Sequence, residues 1–269
     1  MFAAVAALAG CAGPGNPYPP GWLSYGLPSP PYAVYEIADT VAGMVKSPVG
    51  DLPIAGGYSM WMDLSFETAA GGMRVRGIAE GFEGTLSDPM QAAVAADLGY
   101  LDRTLEFVLN RRGVVEVTSF PELSGPDAEV FSFAALAYDL FPRLPDTVVD
   151  PGGTWLDTLR WHTDGDVTEV ISRTAYDYTL VGDTVVDGRA LLHIVAAGTV
   201  DVRIYTGRAG KLTRRSMTGS STGVVLWDPE LRLVAYHEYE RDLAGTVSRP
   251  DKAPFELSLK GPVRIRLVR

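Results

Sequence analysis

Residues 58–68 read YSMWMDLSFET, and their alternation decides the fold class. Tyr58, Met60, Met62, Leu64 and Phe66 fall on one face of an extended chain; Ser59, Asp63, Ser65 and Glu67 fall on the other, with Trp61 interrupting the polar set. Period two with one apolar face is the signature of a half-buried β-strand. Residues 254–268 repeat the pattern. Phe255, Leu257, Leu259, Val263, Ile265 and Leu267 share one face, and Lys260, Arg264 and Arg266 share the other.

Working outward, Gly71-Gly72 turns the first strand into residues 73–83, and residues 104–109 and 114–120 flank Asn110-Arg111-Arg112-Gly113, a four-residue hairpin loop. Further strands are expected near 154–162, 167–181, 189–205, 211–227 and 231–244. Asp164-Gly165-Asp166, Gly182-Asp183, Asp187-Gly188, Gly207 with Gly210, Asp228-Pro229 and Arg249-Pro250-Asp251 punctuate them. Long strands with short joins favour an antiparallel meander, because parallel strands need long crossovers. Two helices are expected. One lies near 88–98, opened by Ser87-Asp88-Pro89; the other lies at 127–141, closed by Pro142. The fold class is therefore mainly β: an antiparallel meander forming strongly curved sheets or half-barrels, with two short helices. A membrane barrel is disfavoured, because the outward faces of 58–68 and 254–268 carry charge.

The chain has 269 residues, 46% hydrophobic and 21% charged, which is globular composition. One cysteine excludes an intrachain disulfide and a cysteine-based zinc site. The net charge of −10 disfavours nucleic acid as a partner, since phosphate binding needs a cationic surface. Residues 1–210 hold 12 basic and 26 acidic side chains, whereas 211–269 hold 11 basic and 7 acidic. The basic end either pairs with the acidic body or faces anionic lipid, and internal balance is the simpler reading.

The N-terminus addresses location. Residues 2–10, FAAVAALAG, are uncharged and too short to span a bilayer, but they suit a signal-peptide apolar region. Leu8-Ala9-Gly10 then precedes Cys11, the only cysteine, although no Lys or Arg precedes the apolar run. Residues 12–22, AGPGNPYPPGW, read as an extended tether, with Tyr18, Trp22 and Tyr25 leaving an ordered cap as the alternative. The expected organisation is a signal peptide and lipidated Cys11 over 1–11, a tether over 12–31, a β-rich part with both helices over 32–148, and a β meander over 149–269.

Leu8-Ala9-Gly10-Cys11 resembles the lipobox of bacterial lipoproteins, in which a peptidase cuts before the cysteine and its sulfur carries a diacylglycerol. With the tether and the join Leu144-Pro145…Asp150-Pro151-Gly152-Gly153-Thr154-Trp155, the chain looks like uncharacterised bacterial envelope lipoproteins. A looser likeness of architecture is to the lipoprotein-carrier fold, an open β half-barrel with helices across its mouth. The resemblance implies a membrane partner reached through the lipid anchor, and a place in the bacterial cell envelope on the periplasmic side of a membrane.

Chemistry is sparse. His162, His193 and His237 lie on three different expected strands without metal-ligand spacing, so no metal is expected. Asp164-Gly165-Asp166 lacks the remaining oxygen ligands of a calcium loop. Gly219-Ser220-Ser221-Thr222-Gly223 matches a serine-nucleophile motif by letters, but lies inside a strand with no helix after it. No phosphate loop or dinucleotide fingerprint appears, so no cofactor and no enzyme activity are expected. The leading expectation is a lipoprotein that binds or carries a hydrophobic or amphipathic ligand, with Met60, Met62, Leu64 and Phe66 as the candidate ligand-binding face. The alternatives are a packed core at that face, and a structural or assembly lipoprotein that contacts other envelope proteins without a small-molecule ligand.

Overall fold

The computed structural model describes residues 22–47, 50–87, 94–95, 104–121, 133–164, 168–207, 212–250 and 252–268. Its strands are β1 (Tyr32–Ser47), β2 (Gly50–Ala69), β3 (Gly72–Ser87), β4 (Val94–Ala95), β5 (Thr104–Leu109), β6 (Val115–Ser119), β7 (Thr154–Asp164), β8 (Thr168–Val186), β9 (Arg189–Thr206), β10 (Thr213–Asp228), β11 (Leu233–Ser248) and β12 (Phe255–Leu267). One helix, α1 (Phe133–Leu140), lies between β6 and β7 in sequence. Eleven strands form one antiparallel sheet in the order β6-β5-β3-β2-β1-β12-β11-β10-β9-β8-β7, with β4 pairing β3 off that path. The sheet does not close into a barrel.

The expected mainly β, antiparallel class is found, as one continuous sheet. The first and last strands pair from Tyr35↔Leu267 to Lys46↔Glu256, so the parts expected as 32–148 and 149–269 share a seam at the centre of the sheet. Of the two expected helices, one changes and one is described in part. Val94–Ala95, inside the helix expected at 88–98, is a short strand against Thr85 and Leu86, and most of that segment lies outside the described residues. The helix expected at 127–141 is described only as Phe133–Leu140, and residues 122–132 also lie outside the described residues. Cys11 and residues 1–21 do so too. Residues 22–31, grouped with the tether in the sequence, instead cap the sheet. Tyr25 is buried and its hydroxyl donates to the Pro142 carbonyl at 2.9 Å, while Trp227 Nε1 donates to the Trp22 carbonyl at 2.8 Å. The large aromatic bodies explain this, because their burial outweighs the flexibility of the surrounding Pro/Gly chain.

The sheet curls because its two faces differ. One face carries Tyr35, Met62, Phe107, Val225 and Ile265 into a core; the other carries ion pairs across strands, including Arg266–Glu36 at 2.5 Å, Arg264–Glu238 at 2.9 Å and Lys260–Glu240 at 3.2 Å. The basic C-terminal strand is thus paired with acidic neighbours. Such exposed pairs are screened by solvent and contribute little, so burial of the apolar face dominates. Helix α1 touches β5, β6 and β7, strands from opposite edges of the sheet, so the sheet wraps round it. Glycine permits the tight curl at Gly261, where a Cβ would stand 1.9 Å from the Thr40 carbonyl oxygen. Gly113, at φ 81°, closes the β5–β6 turn expected from the sequence.

Candidate functional site

The concave face is built in three tiers along the strands. At one end, the core end, it is filled by residues 22–31, α1 and residues 141–144. Met60, Met62, Leu64 and Phe66 lie here, all buried in the main core. None of them lines the cavity described below, so the face proposed from the sequence to hold a ligand is packed by protein instead. Tyr25, Phe141 and Trp227 fill the space above it, with ring centroids 5.4 and 4.8 Å from Tyr25.

The middle tier is polar. Asp39 on β1 and Arg241 on β11 stand at inward positions of an otherwise apolar alternation, and their side chains meet at 2.5 Å. Their side chains are 14% and 30% exposed. Burial opposes the charge on Arg241, but the surrounding oxygens of Tyr239 and Asp39 hold the guanidinium firmly charged. Asp139, on the last turn of α1, lies behind it. Burial raises the Asp139 carboxyl from 3.8 to about 6, against the opposing pull of Arg241 and a hydrogen bond from the Tyr239 hydroxyl. The phenols of Tyr58 and Tyr239 are pushed far up by burial and remain neutral hydrogen-bonding groups. His237 is buried beside this tier. Its Nδ1 is 3.1 Å from the Asp139 carbonyl oxygen, and burial lowers its pKa from 6.5 to about 4.

Beyond the polar tier, at the cavity end, the concave face is apolar again and lines a partly open cavity of about 240 Å³. Its walls come from Val41, Val202, Ile204, Met217, Leu243 and Leu259, with Ala135 of α1 and Trp161 of β7 to one side. Asp39, Tyr58 and Arg241 form its floor, and Arg215, near the start of β10, stands at its rim. Trp161 stacks on Tyr138 of α1 with centroids 5.6 Å apart, which ties the helix to the cavity side. A second cluster of buried apolar residues, including Val45, Val247 and Leu257, carries the same surface further along the strands.

The other residues singled out in the sequence do not converge. His162 pairs with Glu169 at 3.0 Å on the surface, and His193 is half-buried on β9. Ser221 is buried on β10 beside Tyr176, in an unbroken strand rather than at a strand–helix turn. Asp164 ends β7, and Gly165 and Asp166 lie outside the described residues. Among the described residues no group of three or more His, Cys, Asp or Glu could hold a metal ion. No described helix is long and apolar enough to cross a membrane.

Met60, Met62, Leu64 and Phe66 lie one tier away from the cavity. The available signal was the interruption of two alternations: Tyr35, Ile37, Asp39, Val41 on β1 and Tyr239, Arg241, Leu243 on β11. Opposite charges at inward positions of two strands mark the level at which the packing changes.

No protein-family model matches the chain, and no curated protein matches it. A solved structure titled "Crystal structure of the receptor binding domain" aligns over 88% of this chain and 78% of its own at 9% identity, with a TM-score of 0.10. A likeness that weak carries no argument about fold or activity.

Proposed function

We propose that this chain is a membrane-anchored envelope lipoprotein that binds a hydrophobic or amphipathic ligand in the cavity on the concave face of its sheet. The observation that carries this reading is the cavity itself. About 240 Å³ of space is walled by aliphatic side chains and bounded by a helix that bridges the sheet edges. A dry apolar cavity of about 150 Å³ already admits benzene, so this volume accepts an alkyl chain. Anchoring rests on Leu8-Ala9-Gly10-Cys11 and the apolar run before it.

A second reading is a scaffold lipoprotein that contacts other envelope proteins. It is favoured by apolar side chains left exposed, among them Leu156 at 75% and Val185 at 71%.

Two measurements test the proposal. A fluorescent fatty-acid analogue should bind saturably to folded protein stripped of co-purified lipid; absence of saturable binding would leave the scaffold reading in front. In detergent phase partitioning, protein expressed with its native leader should follow the detergent and Cys11→Ser the water, because two or more acyl chains contribute about 0.8 kcal/mol per buried CH₂. Equal partitioning of both would remove the lipid anchor.

A further inference from the structure

We infer that the cavity takes an uncharged, hydroxylated apolar molecule head-first, with its hydroxyl seated on the Asp39–Arg241 pair. This deepens the ligand-binding reading above and rests on it. The observation that carries it is the place of that pair. Asp39 and Arg241 form the floor of a cavity whose walls are aliphatic, and both side chains keep some exposure there. The guanidinium is fixed from two sides, by the Asp39 carboxylate and by the Tyr239 ring, whose centroid lies 5.9 Å away. One Nη of Arg241 donates to one oxygen of Asp39. A guanidinium carries five N–H donors and a carboxylate two accepting oxygens, so the floor presents donors and an acceptor side by side. A hydroxyl matches both, because its oxygen accepts from the guanidinium while its proton goes to the carboxylate. An ether or a ketone only accepts, and matches half of the floor.

Charged heads are disfavoured at the floor for a geometric reason. An anionic head would stand beside Asp39, with Asp139 behind Arg241, and would have no proton to give either carboxylate. A cationic head would meet the guanidinium. The other cations on the lining are engaged: Lys260 turns its ammonium outward to Glu240 at 3.2 Å and Asp242 at 3.6 Å, and Arg215 holds a contact of its own. A neutral head leaves the floor pair intact. Stability alone does not call for such a pair, since apolar side chains of similar volume commonly replace a buried ion pair without loss. Binding does call for it, because a hydroxyl buried among aliphatic side chains without a partner costs affinity. With the hydroxyl at the floor, the apolar body lies along Met217, Leu243 and Leu259 toward the mouth. A fatty carboxylate enters the other way round, leaves its head in solvent and binds more weakly.

Calorimetric titration of the whole protein with 1-octanol, methyl heptyl ether and octanoate, each below its aggregation concentration, tests this. The ether is an isomer of the alcohol and lacks only the hydroxyl proton. In a purely apolar cavity the ether binds more tightly, because its oxygen loses less on leaving water. On the Asp39–Arg241 floor, octanol should bind about tenfold more tightly than the ether, the margin of one hydrogen bond to a charged group, and more tightly than octanoate. Asp39→Leu combined with Arg241→Met should reverse the order of alcohol and ether while ether affinity holds or rises. An ether that equals or beats octanol on the wild-type protein, octanoate as the tightest of the three, or an octanol preference that survives the double substitution would each overturn the inference while leaving the cavity reading intact. Failure of all three probes to bind would overturn the cavity reading itself. The wild-type ranking needs no variant, so the test stands even if the double variant does not fold.

Discussion

Replacing Asp139 by Asn should change how stability depends on pH, with a sign opposite to that of ordinary buried carboxylate pairs. Asp139 titrates near 3.8 in the unfolded chain and near 6 in the folded one, because burial disfavours its charge. Between those values the folded state holds a proton that the unfolded state has released. The associated stability is complete below pH 3.8 and is lost as pH rises through about 6. A shift of about two units is worth about 3 kcal/mol. His237, whose Nδ1 meets the Asp139 carbonyl at 3.1 Å, runs the other way. Its pKa falls from 6.5 to about 4, so the unfolded chain takes up a proton that the folded one refuses. Stability from His237 is present above pH 6.5 and is lost as pH falls through about 4, again by about 3 kcal/mol. The two slopes nearly cancel over the same window. In urea unfolding from pH 4 to 8, Asp139→Asn should gain about 3 kcal/mol relative to wild type as pH rises, exposing the His237 slope. His237→Gln should show the reverse trend, with the Asp139 slope exposed. Asn keeps the backbone carbonyl and an acceptor for the Tyr239 hydroxyl, so the local hydrogen bonds survive. If both variants track the wild-type pH curve in parallel, the account of this buried tier is wrong.

Three further outcomes follow from the packing. Met62→Trp should cost about 1–3 kcal/mol by overpacking the core end and leave binding of a fluorescent fatty-acid analogue unchanged, whereas Met217→Trp should abolish that binding with little loss of melting temperature; the reverse assignment would move the cavity. Gly261→Val should destabilise by several kcal/mol in urea, since its Cβ would meet the Thr40 carbonyl oxygen at 1.9 Å, and an unchanged midpoint would refute the close approach. Asp39→Asn should cost about 1–3 kcal/mol, discounted for the partial exposure of Arg241, and adding Arg241→Met should recover most of it. No recovery in the double variant would show that the pair is not coupled.

Much of the sheet was legible because its strands alternate strictly. The strands expected near 189–205 and 254–268 match β9 and β12 to within a residue or two. The strand expected to stop at residue 181 runs on to Val186, because a bulge between Leu180 and Gly182 absorbs the turn-like Gly182-Asp183 without ending the ladder. Strand β1 was not marked as a strand, although it is the seam of the sheet. Its inward Asp39 breaks the apolar alternation, and its partner Leu267 on β12 lies far along the chain. Pairing between the first and last strands is a long-range choice that no local pattern encodes. The same limit applies to the site. Period two tells which residues face inward, but not at which level along a strand the interior is filled. Tyr25 and α1 fill the level of Met62 and leave the level of Met217 open to the cavity.

The most direct test of the account is photo-crosslinking of the folded protein with a diazirine-tagged decanoate, followed by peptide mapping. The account predicts labels on the wall residues Val41, Val202, Met217, Leu243 and Leu259, competed away by unlabelled decanoate and lost in Met217→Trp. Labels confined to the charged convex face around Glu36 and Arg266, or labelling that unlabelled decanoate does not compete away, would contradict it.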